Sequence, residues 1–197
     1  MEEQHKYYIQ TDRSALSSYI MDEVQMGLVE QAIDEIDAEL IANLPILIYG
    51  KECIQRRSIG FFSNESIGYK YSKKLVASKQ LTPLLSQLLN QINEKFESDF
   101  NGILINKYID GNDNIGKHSD DESALSNAGV VIISYGAERT FRIRNKNDGA
   151  IVNNVKTKAN EILIMSGDFQ KEFTHEIPVE KKVTETRYSL TFRKHLI

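Results

Sequence analysis

Cysteine is nearly missing from this chain: Cys53 is the only one in 197 residues. An internal disulfide and a cysteine-rich zinc site are therefore excluded, and a reducing compartment is expected. The thiol reads as a small packed hydrophobe rather than a nucleophile. No leader is expected either, since Met1-Glu2-Glu3-Gln4-His5 has neither a basic nor an apolar region. No run approaches the roughly 20 apolar residues of a membrane helix. The expectation is a soluble intracellular protein, cytoplasmic or nuclear, with no membrane partner. Repeats, low-complexity tracts and linkers are also lacking, so one catalytic unit, read as a monomer, is expected at this length.

An excess of positive charge is lacking as well, the formal net charge being -4, which argues against a generally basic nucleic-acid binder. The balance is uneven along the chain. Residues 1–50 hold 10 Asp/Glu against 2 Lys/Arg, and the remainder holds 18 against 22. Any phosphate-facing surface thus belongs to the C-terminal three-quarters.

Two helices are legible. From Asp22 to Leu40, Val24, Leu28, Ala32, Ile33, Ile36 and Leu40 recur at helical spacing beside an acidic face. A helix packed outside a sheet is the plainer reading of this segment, and a partner-binding helix the other. In the second, Thr82 is a plausible N-cap and Pro83 takes the first helical position, ahead of an apolar stripe of Leu84, Leu85, Leu88, Leu89, Ile92 and Phe96. After Phe100 the texture changes to short Ile/Val/Tyr/Phe runs divided by turn residues. Strands are expected over Ile103 to Ile109, Val130 to Tyr135, Thr140 to Arg144, Ala150 to Lys156, Glu161 to Met165, Phe173 to Ile177 and Arg187 to Arg193. The fold class is α+β, a jelly roll (double-stranded β-helix) with flanking helices. Residues 1–47 are expected to be an acidic helical extension packed on a core domain of residues 48–197.

In Gly116-Lys117-His118-Ser119-Asp120, an imidazole and a carboxylate lie two residues apart, on one face if the backbone is extended. A third ligand is offered by His175 in a second strand-like segment. Two neutral imidazoles and one carboxylate leave metal positions open and suit non-haem Fe(II). An isolated H-x-D pair is weak evidence, and a structural zinc or calcium site in a cupin-like barrel competes for the same ligands.

The run Arg187-Tyr188-Ser189-Leu190-Thr191-Phe192-Arg193 puts Arg187, Ser189, Thr191 and Arg193 on one face at a period of two. Inside a barrel two unpaired guanidiniums are costly, and a buried dicarboxylate such as 2-oxoglutarate would satisfy them. The competing reading is a solvated face on an edge strand. Asn106 and Tyr108 share a face of their own strand and could donate to carboxylate oxygens.

Together, Ile105 to Gly111, His118 to Glu122, Ile133 to Gly136, His175 to Pro178 and Arg187 to Arg193 resemble the AlkB dioxygenases in order and spacing, from about Ile48 onward. That resemblance implies Fe(II) held by His118, Asp120 and His175, with O2 and 2-oxoglutarate as co-substrates. It implies that Arg187 pairs with the distal carboxylate of the diacid, helped by Tyr108 and Ser189, while Asn106 and Arg193 hold the end that chelates the metal. Ser189 departs from the Asn that many relatives carry, and its shorter side chain would weaken that contact.

The resemblance further implies a nucleotide-recognition lid near residues 53–80. There Tyr71 would stack on an extruded base, with His118 as the opposite wall, Tyr69 would hydrogen-bond near it, and Arg56 and Arg57 would form a basic mouth. Glu122 would approach the exocyclic amine. Otherwise the tyrosines are core aromatics and the arginines solvated. Lys70, Lys73, Lys74, Lys79, Arg139, Arg142 and Arg144 are the charge available for phosphates. The implied activity is oxidative dealkylation of bases such as 1-methyladenine and 3-methylcytosine in DNA or RNA, with release of succinate and formaldehyde. A 2-oxoglutarate oxygenase of proteins or lipids, and a non-catalytic nucleic-acid-binding jelly roll, are the alternatives.

Overall fold

The computed structural model of the chain describes residues 5–48, 50–71, 74–121 and 129–196, apart from the side chains at 48, 70, 71 and 74. In chain order the elements are β1 (Lys6–Gln10), β2 (Ser14–Ile20), α1 (Glu23–Ile36), β3 (Pro45–Ile48), β4 (Lys51–Ile54), β5 (Ser58–Phe62), β6 (Gly68–Tyr71) and β7 (Lys74–Lys79). There follow α2 (Pro83–Lys95), β8 (Gly102–Tyr108), β9 (Ile115–His118), β10 (Val130–Gly136), β11 (Arg139–Asn145) and β12 (Ile151–Thr157). The chain closes with β13 (Glu161–Gly167), a single turn α3 (Phe169–Glu172), β14 (Phe173–Ile177) and β15 (Arg187–Arg193).

Nine strands form one sheet, in the order β1-β2-β13-β10-β15-β8-β5-β7-β6, and β12-β11-β14-β9 form a second. Val130–Ile133 is apolar at every position, which is what a strand covered on both faces requires. Val130 and Ile132 enter the layer between the sheets, where Leu163 and Met165 meet Phe141, Ile143 and Val155 of the smaller sheet. Val131 and Ile133 point the other way, with Ile103, Ile105, Leu190 and Phe192, against α1 and α2. The architecture is the expected jelly-roll core with flanking helices.

Both helices start where their caps require. Asp22 accepts from the Gln25 N–H, and the Gln25 side chain returns the bond to the Asp22 N–H. Thr82 Oγ1 accepts from the Leu85 N–H with Pro83 in the first turn. Regular α-helix ends at Ile36 rather than Leu40, because Asp37–Glu39 tighten into a 3-10 turn. That turn has work of its own: Asp37 accepts from Lys107 Nζ and from the Tyr188 hydroxyl, each at 2.8 Å. Glu30 similarly accepts from the Tyr135 hydroxyl. These acidic positions of α1 and the turn after it therefore brace the back of the large sheet.

The chief departure lies before residue 80, where seven strands stand and the apolar pattern suggested only a helix. In the hairpin β1-β2 the second strand is serine-rich, with no long alternation, and β2 is ordered by pairing with β13 from Glu161↔Ile20 to Gly167↔Ser14. The strands β3, β4 and β6 are four residues each, too short for a period of two to register.

Candidate active site

The site is assembled across the seam between the sheets. In the small sheet His118 and His175 are cross-strand partners on β9 and β14, which brings their ring centroids to 4.3 Å. Asp120, just beyond β9, lies with one carboxylate oxygen 3.9 Å from His118 Nε2 and the other 3.6 Å from His175 Nε2. The three ligand atoms fall within 4.8 Å of one another.

The electrostatics put this donor set in its metal-binding form. Burial, then the His118 charge, pushes the His175 imidazole down to about 3. His118 is lowered by burial, with the nearby guanidiniums of Arg57 and Arg193 adding to the effect. Burial pushes Asp120 up, but Arg193 and the two imidazoles outweigh it and hold the carboxyl at about 2. Near neutrality this is two neutral imidazoles and one carboxylate, the chemistry a divalent cation with open positions accepts. The Gly116 carbonyl, 2.9 Å from His118 Nδ1, can only accept, so Nδ1 carries the proton and Nε2 is left for a metal.

Two residues with no sequence signal hold the ligand segment. Gln170 Oε1 on α3 accepts from the Asp120 N–H at 2.9 Å. Ser119 Oγ donates to the Phe173 carbonyl.

The large sheet supplies the rest. Along β15 the two faces separate as the alternation requires: Leu190 and Phe192 pack toward the helices, while Arg187, Ser189, Thr191 and Arg193 line one cavity with the triad. Leu104, Asn106 and Tyr108 of β8 line the same cavity, and so does Tyr69 of β6. Arg193 and Arg187 are each only 1% exposed, yet they meet different partners. Arg193 Nη2 donates to Asp120 Oδ1 at 3.0 Å. Arg187 donates to Ser134 Oγ at 2.9 Å and Thr157 Oγ1 at 3.2 Å, with its guanidinium carbon 5.2 Å from the Tyr108 ring centre. Its Nη1 is buried and has no hydrogen-bond partner among the described residues. Such an open, buried cationic donor at the far end of the cavity is what a carboxylate would satisfy. Ser134 and Thr157 became legible as its helpers only once β10, β12 and β15 were side by side.

The positions assigned to substrate divide. Tyr69 is buried, with Arg193 against its ring at 5.2 Å. Arg57 is buried rather than solvated, and its Nε donates to Asn106 Oδ1 at 2.7 Å. Arg56 is exposed and faces a separate groove with Ile109 and Asp113, outside the triad cavity. Glu122 lies outside the described residues, as does the side chain of Tyr71.

Among the cations expected to meet phosphates, Arg139 must be reassigned. It is 1% exposed and donates to the carbonyls of Asp110, Asp113 and Pro178 and to the Glu180 carboxylate. It thereby clasps the turns that follow β8 and β14. Arg142 and Arg144 pair with Glu176, and Lys79 with Glu39. Lys73 and the side chains of Lys70 and Lys74 lie outside the described residues.

Comparison with known proteins agrees with this geometry. The family model of the 2OG-Fe(II) oxygenase superfamily matches residues 23–193. The chain is 29% identical over 160 residues to the human DNA oxidative demethylase ALKBH2, covering 77% of this chain and 61% of that protein. It is 35% identical over 135 residues to the human alpha-ketoglutarate-dependent dioxygenase alkB homolog 3, covering 64% and 47% respectively. The chain thus spans less than two thirds of the length of either relative. A solved structure described as OsALKBH1 superposes with a TM-score of 0.62 over 94% of this chain at 15% identity, a likeness of fold.

Proposed function

Because the chain belongs to the 2OG-Fe(II) oxygenase superfamily, we propose that it oxidatively demethylates N-alkylated nucleic-acid bases, such as 1-methyladenine and 3-methylcytosine in DNA or RNA. The reaction would consume 2-oxoglutarate and O2 and release succinate, carbon dioxide and formaldehyde. The observation that carries the reading is one cavity holding His118, Asp120 and His175 at one end and the open guanidinium nitrogen of Arg187 at the other.

In this reading His118, Asp120 and His175 hold Fe(II). When bound with 2-oxoglutarate and O2, the metal supplies the oxidation of an unactivated N-alkyl carbon, which no protein side chain performs. The protein's own part is placement and exclusion. Arg187, with Tyr108 and Ser189, grips the distal carboxylate, while Asn106 and Arg193 orient the chelating end. Thr191 completes the polar wall, and the apolar walls of Leu104, Ile132 and Phe141 keep water from the diacid.

We assign residues 48–197 to the oxygenase, residues 53–80 to its nucleotide-recognition lid, and residues 1–47 to an extension packed on that core, which adds β1 and β2 to the edge of the large sheet and lays α1 behind it. Within the lid, Tyr69 and Tyr71 would receive the extruded base, with Glu122 toward the exocyclic amine, while Arg57 holds Asn106 from behind the cavity and Arg56 borders a separate groove. The name of one relative, a DNA oxidative demethylase, supports a nucleic-acid substrate. An enzyme with that substrate acts inside the cell, in cytoplasm or nucleus, and we take it to work as a monomer. No helix among the described residues is long and apolar enough to cross a membrane.

The test is anaerobic loading with Fe(II) and 2-oxoglutarate, addition of oxygen, and mass spectrometry of a methylated oligonucleotide. Loss of one CH2 unit per lesion is expected, with stoichiometric succinate. Succinate with an unchanged oligonucleotide would move the substrate to a protein or lipid, and no succinate at all would refute an oxygenase.

A further inference from the structure

The chain has four histidines, of which two form the triad and His5 is exposed. The fourth, His195, sits two residues beyond β15 and is 2% exposed. Its backbone is held from both sides by one side chain: its N–H donates to Asn101 Oδ1 at 2.8 Å, and its carbonyl accepts from Asn101 Nδ2 at 2.9 Å. Its ring packs on Phe61 at 4.7 Å. The imidazole is therefore pinned in place, with Nδ1 3.2 Å from Ser66 Oγ.

Ser66 belongs to the turn that feeds β6. Its hydroxyl is also 3.3 Å from the Gly68 N–H and 3.3 Å from the Gly68 carbonyl. A hydroxyl has one proton and two lone pairs. All three contacts are satisfied together only if Ser66 donates to the Gly68 carbonyl and accepts from both the Gly68 N–H and a protonated His195 Nδ1. The same assignment leaves His195 Nε2 as a bare lone pair, consistent with that atom's being buried and without a partner among the described residues. Gly68 has φ +152, and a side-chain carbon there would come within 2.4 Å of the Val76 carbonyl oxygen. The strand thus begins at a residue with no side chain of its own to fix it. The next residue, Tyr69, lines the triad cavity.

We propose that His195 is a positioning residue which, through Ser66, latches the start of β6 and so sets where Tyr69 stands over the cavity. The inference rests on residues 53–80 acting as the nucleotide lid. The C-terminal segment then has two offices: Arg193 reaches Asp120 and lies against the Tyr69 ring, and His195 holds the turn ahead of that tyrosine. Protonation would put an N–H at the enclosed Nε2 beside Arg193, and burial, then that charge, push the imidazole down to about 4. The latch is therefore neutral and engaged across the physiological range.

The test compares His195→Phe, His195→Asn and Ser66→Ala with the wild-type chain. Phe keeps the packing on Phe61 and removes the hydrogen bond, whereas the Asn amide lies near the position of Nδ1. Amide hydrogen exchange over residues 63–71 should speed up about five- to tenfold in His195→Phe and Ser66→Ala, the equivalent of one lost hydrogen bond, and return toward wild type in His195→Asn. KM for a methylated oligonucleotide should rise by the same about five- to tenfold, while KM for 2-oxoglutarate stays put. Wild-type exchange in His195→Phe overturns the latch, as does equal loss in His195→Asn. If the wild-type chain fails to demethylate while the exchange pattern holds, the base-demethylase reading falls and the latch stands. If demethylation proceeds and neither exchange nor KM moves, the latch is refuted and the reading survives.

Discussion

Arg193 Nη2 donates to Asp120 Oδ1 at 3.0 Å, joining the strand that carries the two buried arginines of the cavity to the carboxylate of the triad. Both side chains are almost wholly buried, at 1% and 3% exposure. Removing one member of such a pair strands the other's charge in a poorly solvated site, a loss of about 3–5 kcal/mol. Arg193→Met should lower stability by that order in denaturant unfolding and also weaken Fe(II) binding. Asp120→Asn should abolish metal uptake in calorimetry. If Arg193→Met unfolds at the wild-type denaturant concentration and binds metal normally, the two residues are not an energetic unit.

Arg187 meets Ser134 and Thr157 through separate nitrogens and leaves Nη1 open. Lysine presents a single point of charge and cannot reproduce that fork. Arg187→Lys should raise KM for 2-oxoglutarate about a hundredfold, a difference of about 3 kcal/mol expected for a lost charge-assisted pair. Apparent metal affinity should change little. A 2-oxoglutarate KM within a few-fold of wild type would take the diacid away from this arginine.

Gln170 offers no atom to the metal but accepts from the backbone N–H of Asp120. Partners of this rank typically tune metal affinity by about 10–100-fold. Gln170→Ala should weaken Fe(II) or Mn(II) binding by at least about tenfold, measured by titration without substrate. Gln170→Glu, which keeps an acceptor oxygen, should recover most of it. Unchanged affinity in the alanine variant would make this contact incidental.

Glu180 is held at about 2: burial raises its pKa, but bonds from the Thr140 N–H and hydroxyl and from Lys156 overcome that. A carboxyl depressed on folding stabilises the native state above its unfolded value of 4.5 and loses that contribution as pH falls toward 2. The group is partly solvated, so the effect should be on the order of 1 kcal/mol. Unfolding free energy measured between pH 5 and pH 2 should fall more steeply for the wild-type chain than for Glu180→Gln. Parallel curves would contradict the assignment.

The alternating face of β15, the shared face of Asn106 and Tyr108, the caps at Asp22 and Thr82 and the H-x-D pair were all fixed by local periodicity and residue chemistry, so they could be read along the chain. A period of two is a property of one strand and survives in any extended backbone. Pairings belong to no single segment. That His118 faces His175, that Ser134 and Thr157 serve Arg187, that Gln170 steadies Asp120, and that Arg139 turns inward to loop carbonyls rather than outward to phosphate were decided when strands distant in sequence became neighbours. The hairpin of β1 and β2 shows the same division, since its serine-rich strand β2 is ordered by an edge that β13 provides, and β1 then pairs with β2. The sequence by itself determined which side chains share a face; only the packing of two sheets determined which faces meet, because burial and hydrogen bonding depend on the partner surface.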